Sequence, residues 1–412
     1  MIWLYDALWV LGLILGAPLW IPWILLSPSR RRDFWERWKP LPRRPEASVW
    51  LHVASVGEAE AAVPLLSRLC EHGVQPLVTT STLTGRERLR ERFPSLSVRL
   101  APLDLPGLAH WSVRRACIRT LVLVETELWP NWMRAVSRAG GRVVMVSARI
   151  SDRSFRWYLR ARPLFAPLLN GITYLGARSD EDRLRFTKLG VPHERSIVTG
   201  DLKLDRAAPA PPSEELTRAL GPGPFLIGGS THAGEEEALL TAWQELRQGP
   251  APELRLLLVP RHPERVAAVV ACVERHGARC GLRSRGASDA EVVIVDTVGE
   301  LASLYTLADL VFCGGTLVRV GGHNLLEPVQ AGRVVVHGPH IENQRHQAQL
   351  LRPFGVLHRV EDVKELTQVL GMLWAGPKRN MPAERARQGL ESHRGAAERS
   401  LALVLDEEAR GA

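Results

Sequence analysis

The chain has 412 residues, of which 45% are hydrophobic, 24% charged and 6% aromatic. This length and composition exclude a wholly disordered chain and a small disulfide-stapled domain, and they suffice for two ordinary domains. The formal net charge of +9 favours an anionic partner, such as a phosphate, a nucleotide or an acidic lipid surface. The five cysteines are scattered without a C-x-x-C pair, so the sequence supports neither a disulfide framework nor a structural zinc site, and we assign them no role.

Residues 1–28 are predicted to be a membrane anchor. They are almost continuously apolar, and six of the thirteen tryptophans of the chain fall within its first 38 residues. An arginine-rich stretch at 30–44 follows the apolar run, which is typical of an uncleaved anchor with the rest of the protein in the cytoplasm. Asp6, Pro18 and Pro22 weaken a clean span, so a helix that crosses the bilayer and a helix that lies along its surface are both open.

Residues 29–206 are predicted to form an N-terminal domain. Apolar runs alternate with helical stretches there, which is the pattern of a doubly wound α/β fold with a parallel sheet. The predicted strands are 49–54, 75–79, 97–101, 120–124 and 142–147. A Pro-rich stretch at 207–224 is the strongest linker signal in the sequence and ends this domain.

A second Rossmann-like domain is predicted over 225–412. It opens as the first does, with an apolar strand, a turn of small residues and a helix that starts in acids. The predicted strands are 225–227, 255–259, 291–296, 310–313 and 334–337. Two such domains are expected to face a central cleft, lined by the turns at the carboxyl ends of the strands.

Polar runs that follow strands of the first domain supply candidate catalytic residues. Glu58 starts a helix, where it either caps the helix or acts as a general base for a hydroxyl group. Glu125 and Glu127 follow an apolar strand. Capping of the next helix would explain one of these two acids but not both. Lys203 lies between acids beside the linker, in a solvated hinge or in a site for a carboxylate or phosphate. The D-x-D run at Asp180–Asp182 is interpreted as a helix cap rather than a metal site.

Four runs of the second domain have the character of a nucleotide site. The turn at Gly228–His232 lacks the lysine of a P-loop, but a phosphate could bind there at a helix start. Pro260 and Arg261 stand at a strand end in a loop stiffened by prolines. Val298–Glu300 starts another helix, and Asn324–Glu327 places a carboxylate one turn after an asparagine, where it could accept both hydroxyls of a ribose.

Taken together, these runs resemble one family, the 3-deoxy-D-manno-octulosonic acid (Kdo) transferases that build the inner core of lipopolysaccharide. The resemblance covers nearly the whole chain, and its motifs come in the order of the family. The matching stretches are HVASVGE at 52–58, TTSTLTG at 79–85, ETELWPN at 125–131, SARISDRS at 147–154, GDLKLD at 200–205, GGSTHAGEE at 228–236, PRHPER at 260–265 and GGHNLLEP at 321–328.

The resemblance implies a GT-B glycosyltransferase that transfers Kdo from CMP-Kdo to a lipid A precursor on the cytoplasmic face of the inner membrane. Glu58 would be the base, and Glu125, or alternatively Glu127, would stabilise the transition state together with Lys203. Ser55 and Gly57 would contact the acceptor. The residues implied for binding CMP are Ser230, Pro260, Arg261, Val298, Gly299, Glu300, Asn324, Leu325, Leu326 and Glu327.

The implied reaction inverts the anomeric centre and needs neither a metal nor a cofactor, because helix N-termini and Arg261 can supply donors to the leaving phosphate. We expect no nucleic-acid partner. The arginines of the first domain either hold the acidic glycolipid or form solvated helix faces; they are Arg86, Arg88, Arg90, Arg149, Arg153 and Arg156. Two rival readings are a GT-B enzyme with a UDP-sugar donor and a membrane adaptor without catalysis. The number of Kdo residues added, the acyl chains tolerated and the oligomeric state are left open.

Overall fold

The computed structural model describes residues 2–44, 48–376 and 379–405. The chain divides into two compact units: the first contains the residues up to Arg206 together with those from His393 onward, and the second is Ala207–Ser392. Each unit contains a seven-stranded sheet in which neighbouring strands pair in parallel. The prediction of two α/β domains with parallel sheets is confirmed.

The strands of the first unit are β1 (Val49–Val53), β2 (Leu77–Thr80), β3 (Ser97–Leu100), β4 (Thr120–Val124), β5 (Arg142–Ala148), β6 (Tyr174–Ala177) and β7 (Ser196–Val198). Its helices are α1 (Ile2–Leu25), α2 (Pro28–Arg37), α3 (Val56–Glu71), α4 (Leu83–Arg92), α5 (Pro106–Arg115), α6 (Pro130–Arg138), α7 (Asp152–Arg160), α8 (Arg162–Leu169) and α9 (Asp180–Leu189), with 3-10 turns at His193–Arg195 and Leu202–Asp205.

The strand order β3-β2-β1-β4-β5-β6-β7 places β1 beside β4 at the centre of the first sheet. The chain winds outward in one direction from β1 and in the other from β4, so this pair is the topological switch point. Both central strands are buried along their whole length, because helices cover the two faces of the sheet. In open parallel sheets, ligands bind beyond the carboxyl ends of the strands at such a point.

The C-terminal helix belongs to the first unit, which corrects the prediction that 225–412 forms one domain. Helix α18 (Ala396–Leu405) packs on the same face of the sheet as α3 and buries its apolar side chains there. Asp205 fixes the start of this return: its carboxylate accepts hydrogen bonds from Gly395 N at 2.8 Å and Ala397 N at 2.5 Å. The sequence around this helix carries no sign of which sheet it covers.

The strands of the second unit are β8 (Phe225–Thr231), β9 (Arg255–Pro260), β10 (Cys280–Leu282), β11 (Val292–Ile294), β12 (Leu310–Cys313), β13 (Val335–His337) and β14 (Leu357–Arg359), in the order β10-β11-β9-β8-β12-β13-β14. Its helices are α10 (Glu214–Leu220), α11 (Glu235–Gln248), α12 (Val266–Arg275), α13 (Leu301–Leu304), α14 (Leu326–Gln330), α15 (Arg345–Leu351), α16 (Val363–Ala375) and α17 (Met381–Leu390). The 3-10 turns are Pro263–Arg265, Arg283–Arg285, Tyr305–Leu307, Glu342–Gln344, Arg352–Phe354 and Glu391–His393.

The predicted linker at 207–224 contains helix α10, so part of it is structural. Ser213 caps this helix by accepting a hydrogen bond from Leu216 N. Leu216 and Leu220 are buried in the core of the second unit. The helix was not predicted because the prolines and glycines that flank it are also typical of linkers.

Four strands of the structure were not predicted: β6 and β7 in the first sheet, and β10 and β14 in the second. Each has three or four residues, and none has an entirely buried side-chain pattern. Short, partly exposed strands at or near the edge of a sheet carry too little apolar pattern to be recognised from sequence alone.

The predicted membrane anchor falls on helix α1. Over the residues it describes, the structure contains no helix that combines the length and the apolar character needed to cross a membrane.

Candidate active site

The central candidates of the first unit lie together at the carboxyl edge of its sheet. Glu58 follows β1 in the first turn of α3, and Glu125 directly follows β4. These are the two strands of the switch point, so the fold brings the two carboxylates to the place where ligands bind in this architecture. Lys203, from the 3-10 turn Leu202–Asp205, reaches the same place, because its Nζ lies 2.8 Å from Glu125 Oε1.

Glu58 is held at the start of α3 by the turn that precedes it. Its Oε2 accepts a hydrogen bond from Ala54 N at 2.6 Å, and its Oε1 accepts one from Ser55 Oγ at 3.1 Å. Ser55 Oγ in turn accepts from Glu58 N, which makes the pair a reciprocal cap. Burial raises the pKa of Glu58 above its ordinary value, and the negative charge of Glu125 adds to the effect. The residue is therefore both a cap and a carboxylate that is more basic than an ordinary glutamate, as a general base requires.

Glu125 is a buried carboxylate between two cations. Its Oε1 contacts Lys203 Nζ at 2.8 Å and its Oε2 contacts Arg149 Nε at 2.5 Å. Burial alone would raise the pKa of Glu125, but the Lys203 ammonium and the Arg149 guanidinium hold it at about 2. Its φ of 61° lies in the left-handed region that non-glycine residues seldom occupy, and such strain persists where the surroundings fix it. Glu125 thus stays ionised throughout the working pH range and orients Lys203 and Arg149.

Glu127 has the opposite electrostatic character. Its Oε2 accepts a hydrogen bond from Trp129 Nε1 at 2.9 Å and lies 4.0 Å from the buried His52 Nε2. Burial and the nearby negative charge of Glu58 raise the pKa of Glu127 to about 7. The two acids left open by the sequence are therefore distinct: Glu125 carries a permanent charge, while Glu127 exchanges a proton near neutral pH.

The D-x-D run caps a helix, as predicted. Ser179 Oγ accepts from Asp182 N at 3.1 Å, and Asp182 Oδ1 accepts from Ile150 N at 2.9 Å. Three of the candidate lipid-facing arginines are also engaged within the unit. Arg86 is buried against Asp33 and Glu36, and Arg149 pairs with Glu125. Arg90 donates to the carbonyl oxygen of Val98 at 2.9 Å and 3.1 Å.

The candidate nucleotide residues gather at the carboxyl edge of the second sheet. Strands β8 and β12 are neighbours at the switch point of that sheet. Ser230, the next-to-last residue of β8, has a φ of 57°. The chain after β12 leads to Asn324. Two histidines join these strand ends: His232 Nε2 lies 2.8 Å from His323 Nε2, so a single hydrogen connects the two rings.

Glu235, which the sequence analysis did not single out, organises this edge. It is fully buried at the start of α11, and it accepts hydrogen bonds from Gly315 N at 2.7 Å, Thr316 N at 2.9 Å and Leu317 N at 3.0 Å. It also accepts from His232 N at 2.9 Å. Only one of these four donors, His232 N, belongs to the turn at Gly228–His232, so one N–H group of that turn is already used by the protein. The expectation that a phosphate binds at this turn stays a prediction.

Asn324 and Glu327 form the expected pair. Asn324 Nδ2 donates to Glu327 Oε1 at 3.0 Å, and Asn324 Oδ1 accepts from Leu326 N at 3.0 Å. Leu325 N donates to Gln347 Oε1 at 2.9 Å. Because the side chains of Leu325 and Leu326 are buried and both their N–H groups are bound within the protein, these two residues shape the turn and offer no donor to a ligand.

Arg261 is exposed beyond β9 and close enough to His323 to lower the pKa of that histidine. Pro260 is buried at the end of the strand and directs the chain to it. Val298 is exposed before α13, Gly299 has a φ of 97°, and Glu300 pairs with Arg283 at 2.7 Å. The helix after Glu300 has only four residues, so its N-terminus is a weaker source of positive potential than the sequence suggested.

Sequence reasoning placed Arg149 only among the arginines that either hold the acidic glycolipid or form solvated helix faces. It assigned no role to His232, His323 or Glu235. All four stand in motifs that it quoted, but their partners lie far away along the chain: Glu125 is 24 residues from Arg149, and His323 is 91 residues from His232. Only the strand order shows that these groups meet.

Comparison with known proteins gives the following matches. Residues 30–206 match a family model described as 3-Deoxy-D-manno-octulosonic-acid transferase (kdotransferase). The 3-deoxy-D-manno-octulosonic acid transferase of Bordetella pertussis is 31% identical over 415 residues, which cover 95% of this chain and 96% of the relative. The enzyme of the same name from Haemophilus influenzae is 33% identical over 73% of this chain and 72% of the relative.

Among solved structures, a UDP-N-acetylglucosamine 2-epimerase matches with a TM-score of 0.65 over 89% of this chain and 97% of that chain. The two sequences are 12% identical, so this likeness shows the fold alone.

Proposed function

This chain belongs to the family of the 3-deoxy-D-manno-octulosonic acid transferases and is a glycosyltransferase, and we propose that it transfers Kdo from CMP-Kdo to a lipid A precursor. We further propose a GT-B enzyme that inverts the anomeric centre without a metal. The acceptor would be bound by the first unit and the donor by the second.

The observation that carries this proposal is the environment of Glu58. Its carboxylate stands at the switch point with a raised pKa, beside a carboxylate that Lys203 and Arg149 keep ionised. A general base for an alcohol needs raised basicity and a fixed orientation. Burial raises the pKa of Glu58, and its hydrogen bonds to Ala54 N and Ser55 Oγ fix its orientation. Ser55 and Gly57, in the turn that holds it, would line the path of the acceptor hydroxyl.

In the proposed step, the acceptor hydroxyl oxygen forms a bond to the anomeric carbon of Kdo, and its proton passes to Glu58. The bond between that carbon and the phosphate oxygen breaks, and its electron pair leaves with CMP. Because the displacement is direct, it inverts the configuration at the anomeric carbon. Positive charge develops on the sugar ring, where the ionised Glu125 would stabilise it, while Lys203 and Arg149 would hold the carboxylate that Kdo carries.

The second unit would bind the nucleotide. Negative charge develops on the leaving phosphate, and Arg261 with the His232–His323 pair supplies donors for it. The Glu327 carboxylate, oriented by Asn324, would accept the ribose hydroxyls. Ser230 and the exposed turn Val298–Glu300 complete the set implied by the family resemblance.

The acceptor is a glycolipid that cannot leave the bilayer, so the enzyme would work at the cytoplasmic face of the inner membrane, held there by its N-terminal segment. This support comes from the sequence: an apolar stretch with tryptophans, followed by an arginine-rich stretch.

The test of function is to incubate the purified protein with CMP-Kdo and a tetra-acylated lipid A precursor and to measure the mass of the product by mass spectrometry. We expect one or more Kdo mass increments, and Glu58→Gln should lower kcat by about 10²- to 10⁴-fold, the usual contribution of a positioned base. Glu71→Gln, an exposed glutamate of the same helix, is the matched control and should retain full activity. Undiminished transfer by Glu58→Gln would refute the assignment of the base, and no transfer by the wild type would favour a non-catalytic adaptor.

The donor is tested separately by thermal shift. We expect CMP to raise the melting temperature and UDP to leave it unchanged, because ligand bound only by the folded state stabilises it. Stabilisation by UDP alone would replace CMP-Kdo by a UDP-sugar.

A further inference from the structure

The N-terminal helix α1 is fastened to the first unit at its beginning. Tyr5 Oη donates to Asp104 Oδ2 at 2.9 Å, and Asn131 Nδ2 donates to Asp6 Oδ1 at 2.8 Å. Asp104 is buried and also accepts from the N–H groups that start α6, so it belongs to the rigid body of the unit. The first turn of α1 is thereby held against the unit.

The end of α1 is fastened as well, through α2, which follows it after two residues. Glu36 accepts hydrogen bonds from Arg86 Nη1 at 2.8 Å and from Leu100 N at 3.1 Å. Arg37 Nη2 donates to Ser81 O at 2.5 Å. The chain that leaves α1 is therefore tied to the same unit as the chain that enters it.

These two attachments are incompatible with a helix that crosses a bilayer. Helix α1 has 24 residues and is about 36 Å long, whereas the hydrocarbon core is about 30 Å thick. If α1 spanned it, the loops that carry Asp104 and Asn131 would have to lie in the hydrocarbon, where irregular backbone cannot be hydrated. The alternative, that these loops lie on the far side of the membrane, would place them across the bilayer from Ser81, which belongs to the same unit.

One face of α1 is apolar and open. Its exposed large apolar side chains recur at intervals of three, four and seven residues, which places them on one side of a helix. We call this face the apolar stripe; it consists of Leu11, Ile14, Leu15, Ile21, Leu25 and the adjoining Leu26. Leu15 is 68% exposed and Leu26 is 79% exposed, so the stripe is not covered by the first unit.

The opposite face of α1 points to the protein. Asp6, Trp9, Ala17 and Ile24 are less exposed than the stripe, and Ile24 is buried. Asp6, the one acid of the helix, lies on this face. Helix α1 is therefore amphipathic in its contacts: one face packs against the protein, and the opposite face, the apolar stripe, is exposed and requires an apolar environment.

The charges beside the stripe favour an anionic surface. Arg31, Arg32 and Lys39 are exposed close after α1. The two acids of α2, Asp33 and Glu36, are both paired with Arg86, at 3.5 Å and 2.8 Å, so they do not offset the basic residues outside. Cationic side chains next to an apolar stripe are the composition of a helix that lies in the interface of an anionic membrane.

We propose that α1 lies in the plane of the membrane, with the apolar stripe in the boundary between headgroups and acyl chains of an anionic bilayer and with both ends on the side of the protein body. This rests on the proposed lipid acceptor and states how the enzyme reaches it. The enzyme is then held on one leaflet and does not cross the membrane.

The attachment also determines which edge of the first sheet faces the lipid. Ser81, Asp104 and Asn131, which hold the two ends, follow β2, β3 and β4. Because all the strands are parallel, these segments lie at the carboxyl edge of the sheet, where Glu58 and Glu125 also lie. The helix therefore brings the carboxylates of the active site to the level of the headgroups, where the sugar of a glycolipid is found.

The experiment is a depth measurement on the full-length enzyme bound to vesicles of anionic lipid. Spin labels are placed by Leu11→Cys and Leu25→Cys, and their depth is read from accessibility to oxygen and to a water-soluble nickel reagent. These positions are 14 residues, or about 21 Å, apart along a helix. A helix in the membrane plane gives the same shallow depth, about 5–10 Å, at both. A spanning helix would instead place Leu11 near the middle of the hydrocarbon core, about 15 Å deep, and Leu25 near its surface, which would overturn the proposal.

A partition measurement on the same vesicles tests the stripe. Leu15→Glu should weaken binding at least about tenfold, because it removes a leucine from the apolar phase and adds a charge there. Leu184→Glu is the matched control, since Leu184 is 58% exposed on α9 and should change binding less than about twofold. If wild-type enzyme does not bind vesicles but forms dimers that Leu15→Glu dissolves, a second copy of the chain covers the stripe and the proposal is wrong. Kdo transfer to a short-chain, water-soluble acceptor should be unchanged in Leu15→Glu, which keeps this test separate from that of the function.

Discussion

Glu58 and Glu127 interact through their charges, and this gives the first prediction. Burial and the charge of Glu58 raise the pKa of Glu127 to about 7. Glu58→Gln removes a negative charge, so the anionic form of Glu127 becomes less costly and its pKa should fall towards its ordinary value of 4.5. The measurement is the infrared carbonyl band of the protonated carboxyl group, assigned by its loss in Glu127→Gln. A band that titrates at the same pH in Glu58→Gln and in wild type would contradict this coupling.

The second prediction concerns His323. Burial, together with the neighbouring His232, Arg261 and His262, lowers its pKa to about 4. A bound phosphate brings negative charge, which favours the imidazolium form, so CMP should raise the pKa of His323. The titration of its ring protons by NMR, with and without CMP, measures the shift. Cytidine, which lacks the phosphate, is the control and should leave the pKa unchanged; an equal shift with cytidine would place the phosphate elsewhere.

Individual residues were the part of the site that the sequence predicted best. Glu58 and Glu125 were found from polar residues that follow strands, and Lys203 from its position between acids beside the linker. The structure brings the three together. The different protonation behaviour of Glu125 and Glu127 could not be predicted from the sequence. It depends on two cations that approach one carboxylate, from positions 24 and 78 residues away, and miss the other.

At the scale of elements, α11 carries the third prediction. Glu235, at its start, accepts four backbone hydrogen bonds from two turns of the second sheet. Glu235→Gln replaces one acceptor oxygen by an amide that itself donates, so buried N–H groups lose their partner. We expect a loss of about 1.5–3 kcal/mol in the free energy of unfolding of the second unit, measured by chemical denaturation.

The control for this prediction is Glu237→Gln, two residues further along the same helix. Glu237 is exposed, so its substitution should change stability by less than about 0.5 kcal/mol. Equal destabilisation by the two variants would mean that the charge near the helix N-terminus matters rather than the hydrogen bonds.

The central strands of both sheets were predictable, while the marginal elements were not. Strands β1, β4, β8 and β12 are buried along most of their length and appear in the sequence as apolar runs. Helix α10 was taken for linker because prolines and glycines surround it. The local sequence describes how an element forms, but the register and the position of short strands depend on neighbours that are distant in the chain.

At the scale of the whole molecule, the first unit is discontinuous, and this gives the fourth prediction. A fragment that ends at Arg206 lacks α18, whose apolar side chains complete the core beside α3. We expect this fragment not to fold. Joining residue 206 to residue 393 through a short Gly/Ser linker should restore folding, because Asp205 is hydrogen-bonded to Gly395 and the two ends lie together.

Dispersed amide resonances and cooperative unfolding in denaturant measure the outcome. The linked chain with Leu401→Asp, which places a charge in the buried face of α18, is the control and should fail to fold. A cooperatively folded fragment without the C-terminal helix would show that the first unit does not need α18 to fold.

The return of α18 has a consequence for synthesis on the ribosome. Ala397 comes 192 residues after its partner Asp205, and translation at about 5–20 residues per second takes roughly 10–40 s to cover that distance. During this interval, the part of the newly made first sheet that α18 covers beside α3 stays exposed, and apolar surface of this kind is what chaperones bind. A premature stop codon in the last few dozen positions would therefore harm the half of the protein that was made first.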